Sequence, residues 1–496
     1  YLRDSFKNYD TAQTKSEQNI LDAIHEFEEF CKINISKLDE IVSVVINNIG
    51  FLFYTPQNSD EIGIMFEVIN NRGKALSQLE KVKNYLIYFA AKNDRPDLRN
   101  NVNNKWGVIL KNLNSIGYHS NDSENRFLRN CWIVFKDTNK SKSHYVYDNL
   151  KTVYSVSNPE NWHELNLFVD FIARASDVYT KFLKQVNISS NEEKKHLLRL
   201  SLHPSYASVI PLILAIYEHV EKDSERIELI ELIEKLNFRF YVLNVDIRSD
   251  RGQGWLFSLA HNFYHSESKD SQKLKEHLVH FITHNANDKA LVEYLTLDHD
   301  EAFDYYHWNG LKFFLASYEE HLQAQERKSV DLKRILSHRK EESQNDFYHR
   351  EHIWAQKEYD IIDDRNERNV NKRRLANFIL LNEGLNISVS NARVEDKLKK
   401  YFSIDRNFPN TKMIRELEKW FSIAQKKADE RRTNKTYKYW LHLYRTFFDL
   451  REEKLVNFAL KRWGIDELPK KAKKVKINSF FDKNEMYEII YESDQK

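Results

Sequence analysis

Residues that break helices are scarce in this chain: 10 glycines and 7 prolines among 496 residues. Glycine and proline are the two residues that cost most inside a helix. A chain this poor in them, and rich in Leu, Ile, Lys and Glu, is free to run in long helical segments, so the expected fold class is mainly α. Two cysteines exclude a disulfide framework and fit a reducing cytoplasm. There is no run of eighteen apolar residues and no signal-peptide pattern, so no membrane partner is expected. Two to four domains are expected at this length. The net charge of +2 carries no global signature of nucleic-acid binding, so any contact with DNA has to use local patches.

The chain opens YLRDSF, without Met, and is expected to begin inside a larger protein. Residues 1–49 read as two helices, the first with Ile20, Ile24, Phe27 and Phe30 on one face. IVSVVINNIGFLFYT then reads as a strand-like stretch ending at Pro56. The segment 62–90 is broken at Asn70-Asn71-Arg72-Gly73, after which Ser77 and Glu80 have the spacing of a capping box. An arginine in a glycine turn ahead of a helix suits a phosphate. The same residues suit a plain helix-linking turn, with Asn70 as a cap and Arg72 in a salt bridge.

From about 97 to 325 one apolar-periodic segment follows another, and no strict repeat is visible. Pro211 is expected to kink a buried helix. His261 and His265 share a helical face, but Asn262 stands where a zinc-binding HExxH motif has Glu, so a structural role is favoured over a metal. The linker 363–374 is polar and ends basic; Arg373 and Arg374, with Arg365, Arg368 and Lys372, suit either a DNA backbone or a solvated loop face. YKYWLHLYRTFFDLREEKLVNFALKRWG reads as one long helix or two. A basic run at 468–476 then leads into a terminal strand or helix.

Between Phe347 and Phe402 the pattern changes. Glu351 and His352 are adjacent at the end of a short strand, Asn377 opens a second apolar strand, NFILL, and Asn386 follows at a helix entry. With 19 histidines in the chain, one His beside one Glu means little; the ordered set carries the signal. These residue types suit phosphodiester hydrolysis. His352 can take a proton from water near neutral pH. Glu351 and the Asn386 amide oxygen are hard ligands for Mg²⁺ or Mn²⁺. Asn377 can brace the loop or orient His352. The absence of accompanying cysteines argues against structural zinc.

This set resembles the ββα-metal (HNH) nuclease motif. The wider text EHIWAQ, LANFILLNEGLN, SN and a later Lys397 is similar to the C-terminal nuclease domain of GmrSD-type modification-dependent restriction endonucleases. Ala355 stands where that family usually has Pro, and Ala376 where it usually has Gly. Lys397 matches a family lysine suited either to DNA phosphate or to a helix surface. F-x-x-I-N-x-R-G-x-x-L-S, from Phe66 to Ser77, resembles the family's ParB-like nucleotidase domain, with Asn70 and Arg72 as the matching polar positions. The D-G-Q-Q-R segment of that domain is not found here.

The resemblance implies four regions: 1–96, the C-terminal part of a nucleotidase domain; 97–300, a helical connector; 301–465, an HNH-like nuclease; and 466–496, a basic tail. It implies a metal-dependent endonuclease acting on modified phage DNA, with a nucleoside triphosphate as cofactor of the full-length protein. A homo-oligomer or a partner defence subunit is the further expectation. The alternative is a non-catalytic DNA-binding regulator that uses a ββα scaffold.

Overall fold

The computed structural model describes residues 15–50, 75–243, 250–296, 304–337, 348–355, 370–389, 391–403, 411–431, 435–465, 473–477 and 487–491. Helices dominate among them, as the shortage of breakers requires. The chain divides into two compact units. The first comprises Tyr1–Leu198, Ala207–Ile227 and Asp250–Asp270; the second comprises Arg199–Tyr206, Glu228–Ser249 and Ser271–Lys496.

In the first unit the Gln78–Lys92 helix starts at the expected capping box. Ser77 Oγ accepts the Glu80 N–H at 3.1 Å, and the Glu80 carboxylate accepts the Ser77 N–H at 2.7 Å. Two of the four orphan donors of the helix start are thereby satisfied. Helices Pro96–Ser115, Asn121–Phe135 and Trp162–Lys184 pack around buried Trp106, Trp132, Phe168 and Tyr179. The Trp132 and Phe168 rings meet edge to face, 5.5 Å apart. His261 and His265 do share a face, and both serve structure. Their ring nitrogens lie 3.0 and 2.9 Å from the Val134 and Phe135 carbonyls, at the end of the Asn121–Phe135 helix.

Residues Leu38–Asn48 form the second of the two helices expected over 1–49, and this helix takes in the start of the stretch from Ile41 that reads as strand-like, although Ile41, Val42, Val44, Val45 and Ile46 favour a strand. β preference is expressed only where a neighbouring strand and a packed face reward it, and no described strand lies in the first unit. The apolar face of helix Lys15–Ile33 is largely uncovered: Ile20, Phe27 and Phe30 are each about half exposed or more. Pro211 sits in the first turn of helix Ile210–His219 and starts it without a kink, because the first turn has no partner for the missing N–H.

The second unit is built on two antiparallel strands, β1 (Tyr348–His352) and β2 (Phe378–Asn382), with Tyr348 opposite Asn382 and His352 opposite Phe378. β2 is buried at every residue. Helices Leu311–Gln325 and Lys412–Arg431 pack against it. Glu319, on the first of these, accepts the Lys412 and Met413 N–H groups at 2.7 and 3.1 Å and caps the second from outside its own sequence. Tyr437–Trp463 is a single helix that ends with Trp463 stacked on Phe238, ring centroids 3.6 Å apart. The C-terminal segment is a strand: β3 (Lys473–Ile477) pairs with β4 (Tyr487–Tyr491).

Candidate functional site

The site lies at the C-terminal end of β1. Side chains alternate along a strand, so Arg350 and His352 share one face while Glu351 points to the other. Helix Glu383–Val389 follows β2 directly and touches both strands. Asn382 starts it, its side-chain oxygen accepting the Leu385 N–H at 2.8 Å. Helix Val394–Ser403 then brings Lys397 under Glu351.

Asn377 occupies the turn Leu375–Asn377 just before β2 and is completely buried. Its Oδ1 accepts the Trp354 N–H at 2.7 Å, and its Nδ2 donates to the Trp354 and Lys372 carbonyls at 3.1 and 2.8 Å. Its own carbonyl accepts the Ile353 N–H at 2.8 Å. These bonds set the path of the chain as it leaves His352. The described geometry makes Asn377 a brace for that loop.

His352 is held by rings. Tyr306 stacks on it with centroids 5.1 Å apart, and Phe378 packs at 4.7 Å. Its Nε2 is buried and has no hydrogen-bond partner. Burial, followed by the positive charges of Lys397, Lys372 and Arg350, pulls the imidazole down from 6.5 to about 4. At neutral pH it is therefore uncharged and able to accept a proton. Arg350 lies over the outer partner ring, 4.9 Å from the Tyr306 centroid, and donates to the Tyr306 carbonyl at 3.0 Å.

On the opposite face Glu351 Oε1 accepts from Lys397 Nζ at 2.6 Å, and Lys397 also donates to the His352 carbonyl at 2.7 Å. Lys397 is completely buried. That burial corrects the expectation of a DNA-facing or helix-surface lysine and makes Lys397 part of the site. One turn further along, the Tyr401 hydroxyl is buried without a partner, and burial and then the Glu351 charge push its pKa up.

Arg374 is corrected in the same way. It is fully buried, donating to Asp449 at 2.8 Å and to Glu452, so it anchors the turn before β2 and cannot track a DNA backbone. Arg373, beside it, is half-buried. Asn386 is half-buried in helix Glu383–Val389, in its second turn and not at its entry. Asn70 and Arg72, with Arg365 and Arg368, lie outside the described residues.

Sequence reading missed Tyr306, Arg350 and Tyr401. Two of them had a usable signal: Arg350 is two residues before His352 on one strand face, and Tyr401 is four residues after Lys397 on one helix face. Tyr306 is 46 residues from His352 in the chain, and only the tertiary fold brings it there.

A carboxylate and a carboxamide are oxygen donors of the kind a hard divalent ion takes. Glu351 has one carboxylate oxygen that makes no hydrogen bond, and Asn386 lies on helix Glu383–Val389, which touches β1. Among the described residues no group of three or more His, Cys, Asp or Glu gathers as a ready ligand set. Most of the coordination would have to come from water and substrate, as is usual for Mg²⁺.

Fold and site together define a mainly helical protein with a cation-lined polar site on a two-stranded sheet. Residues 268–434 match the family model described as GmrSD restriction endonucleases, C-terminal domain. No curated protein matches it. No helix among the described residues is long and apolar enough to cross a membrane.

Proposed function

We propose that the second unit is a metal-dependent DNA endonuclease of the ββα-metal (HNH) kind. The observation that carries this reading is the end of β1: an uncharged, buried His352 with an unpartnered Nε2, next to a Glu351 that keeps one oxygen out of any hydrogen bond. It lies inside a domain whose family is named for restriction endonucleases.

His352 acts as general base and takes a proton from the attacking water at Nε2. Tyr306 and Phe378 fix the plane of its ring, and Asn377 fixes the backbone beyond it. Arg350 and Lys372 make the surroundings of His352 attractive to a phosphate. Glu351 and Asn386 are the residues that would hold a Mg²⁺ or Mn²⁺ ion. When bound, that ion would offset the negative charge that builds on the phosphate oxygens and the leaving group.

Action on modified phage DNA, and control by a nucleoside triphosphate through Asn70 and Arg72 in a longer protein, belong to the same proposal and rest on the sequence resemblance. A DNA-binding protein without catalysis is the second reading; the occupation of Glu351 by Lys397 favours it.

Cleavage of plasmid and phage DNA with Mg²⁺ or Mn²⁺, beside a His352→Ala protein, tests the proposal. The expected outcome is metal-dependent cutting that falls by roughly a hundredfold or more in the variant, the usual contribution of a general base. Equal rates in both proteins would remove His352 from the chemistry. DNA retention without cutting under any condition would favour the second reading.

A further inference from the structure

We infer that Lys397 keeps the free site poor in divalent metal and couples metal binding to the arrival of a DNA phosphate. This deepens the nuclease reading above and rests on it.

The charges around the site are unbalanced. Among the described residues of the set Glu351 is the one carboxylate, and Lys397 Nζ already sits 2.6 Å from it. Lys372 and Arg350 add positive charge close enough to act on His352. Three other carboxylates on the elements packed here are engaged elsewhere. Glu395 accepts from the Tyr444 hydroxyl at 2.7 Å, and Asp449 and Glu452 are held by Arg374. A divalent ion entering at the second Glu351 oxygen would therefore share a single negative charge with a fixed ammonium group. At so short a range two like charges oppose each other strongly.

Lys397 has no room to withdraw. It is completely buried on the inner face of helix Val394–Ser403, beside buried Val394, Leu398 and Tyr401. Its second bond, to the His352 carbonyl, ties it to the end of β1. A phosphodiester is an anion that this cation-rich site attracts, and it can supply the negative charge that Lys397 takes up. Once seated, the phosphate supplies both charge and oxygen ligands. By linkage, metal and DNA then each raise the affinity for the other by the same factor. Such a site stays metal-poor and idle until its substrate arrives.

The test reads Mn²⁺ binding directly, by the paramagnetic resonance signal of the free ion. Wild type, Lys397→Met and Lys397→Gln are titrated without DNA. His352→Ala and the double variant His352→Ala/Lys397→Met, chosen to slow cutting during the titration, are titrated with and without a short duplex. The expected result is weak binding to the free wild type, tightened by roughly tenfold or more in both Lys397 variants, since each removes the opposing charge. The duplex should tighten binding to His352→Ala by a similar factor, and by clearly less in the double variant. Lys397→Gln retains a neutral donor to Glu351, so it separates charge from orientation. If it binds like wild type while Lys397→Met differs, Lys397 only orients Glu351 and the inference fails. It also fails if both folded variants bind Mn²⁺ no more tightly than wild type. Should Lys397→Met not fold, Lys397→Gln and the duplex arm on His352→Ala still decide the matter. Absence of Mn²⁺ binding in every protein, with and without duplex, overturns the metal-nuclease reading itself, and this inference with it.

Discussion

Asn377 spends its whole amide on backbone: one oxygen and both N–H hydrogens meet the chain at Trp354 and Lys372. Truncating it would leave those buried main-chain groups without partners. Each such loss costs roughly 1–3 kcal/mol. Asn377→Ala is accordingly expected to destabilise the protein by about 3 kcal/mol and to lower its melting temperature. Asn377→Asp is expected to be no better, because a carboxylate cannot donate to the two carbonyls. Thermal melts of both variants check this. A variant with wild-type stability would show that the turn before β2 does not need the brace.

At the level of elements, the ties between the hairpin strands and helix Tyr437–Trp463 are buried arginines. Arg374 pairs with Glu452 and Asp449 from that helix, and Arg451 of the same helix donates to the Ala376 and Phe378 carbonyls. Removing one partner of a buried pair strands the other charge, which costs about 3–5 kcal/mol. Arg374→Met should therefore destabilise by that amount. Replacing Arg374 and Glu452 together by apolar residues should recover much of the loss. Denaturant midpoints of the single and double variants measure both. If the double variant is no more stable than the single one, stranded charge is not the cause. A role for Arg374 in DNA binding would instead leave stability near wild type and change only affinity.

At the scale of the whole molecule, burial lowers the pKa of several histidines. His203 is buried on every side, and burial takes it from 6.5 to about 4; His144, His219, His261 and His321 are also lowered, in each case mainly by burial. A folded-state pKa below the unfolded one means that the unfolded chain takes up the proton first as pH falls. The stability is thus fully present above about 6.5 and is lost as pH drops towards 4. For His203 alone the gap corresponds to roughly 3 kcal/mol. Chemical denaturation at pH 7.5 and at pH 4.5 should show a marked loss in the wild type. The loss should be smaller by about 2 kcal/mol in His203→Gln, whose side-chain oxygen can still accept from Asn237. An equal loss in both proteins would place the acid sensitivity elsewhere.

What the amino-acid sequence determined by itself was local. Sparse glycine and proline set a helical chain, Ser77 and Glu80 set a capping box, and the Glu351–His352 pair with its apolar partner strand set the end of β1. These depend on neighbours within a few residues, and spacing alone reveals them. Direction and burial came from the tertiary structure. Arg374 and Lys397 look like surface cations in the sequence, since long charged side chains are mostly solvated. They are buried because carboxylates from elsewhere in the chain, Glu452 at 78 residues and Glu351 at 46, meet them in the fold. The strand-like residues from Ile41 to Ile46 likewise went into a helix where no described strand offered them a partner. Residue types decide which chemistry is available, and long-range packing decides which groups face the site, because burial and charge pairing are properties of neighbours the linear order does not name.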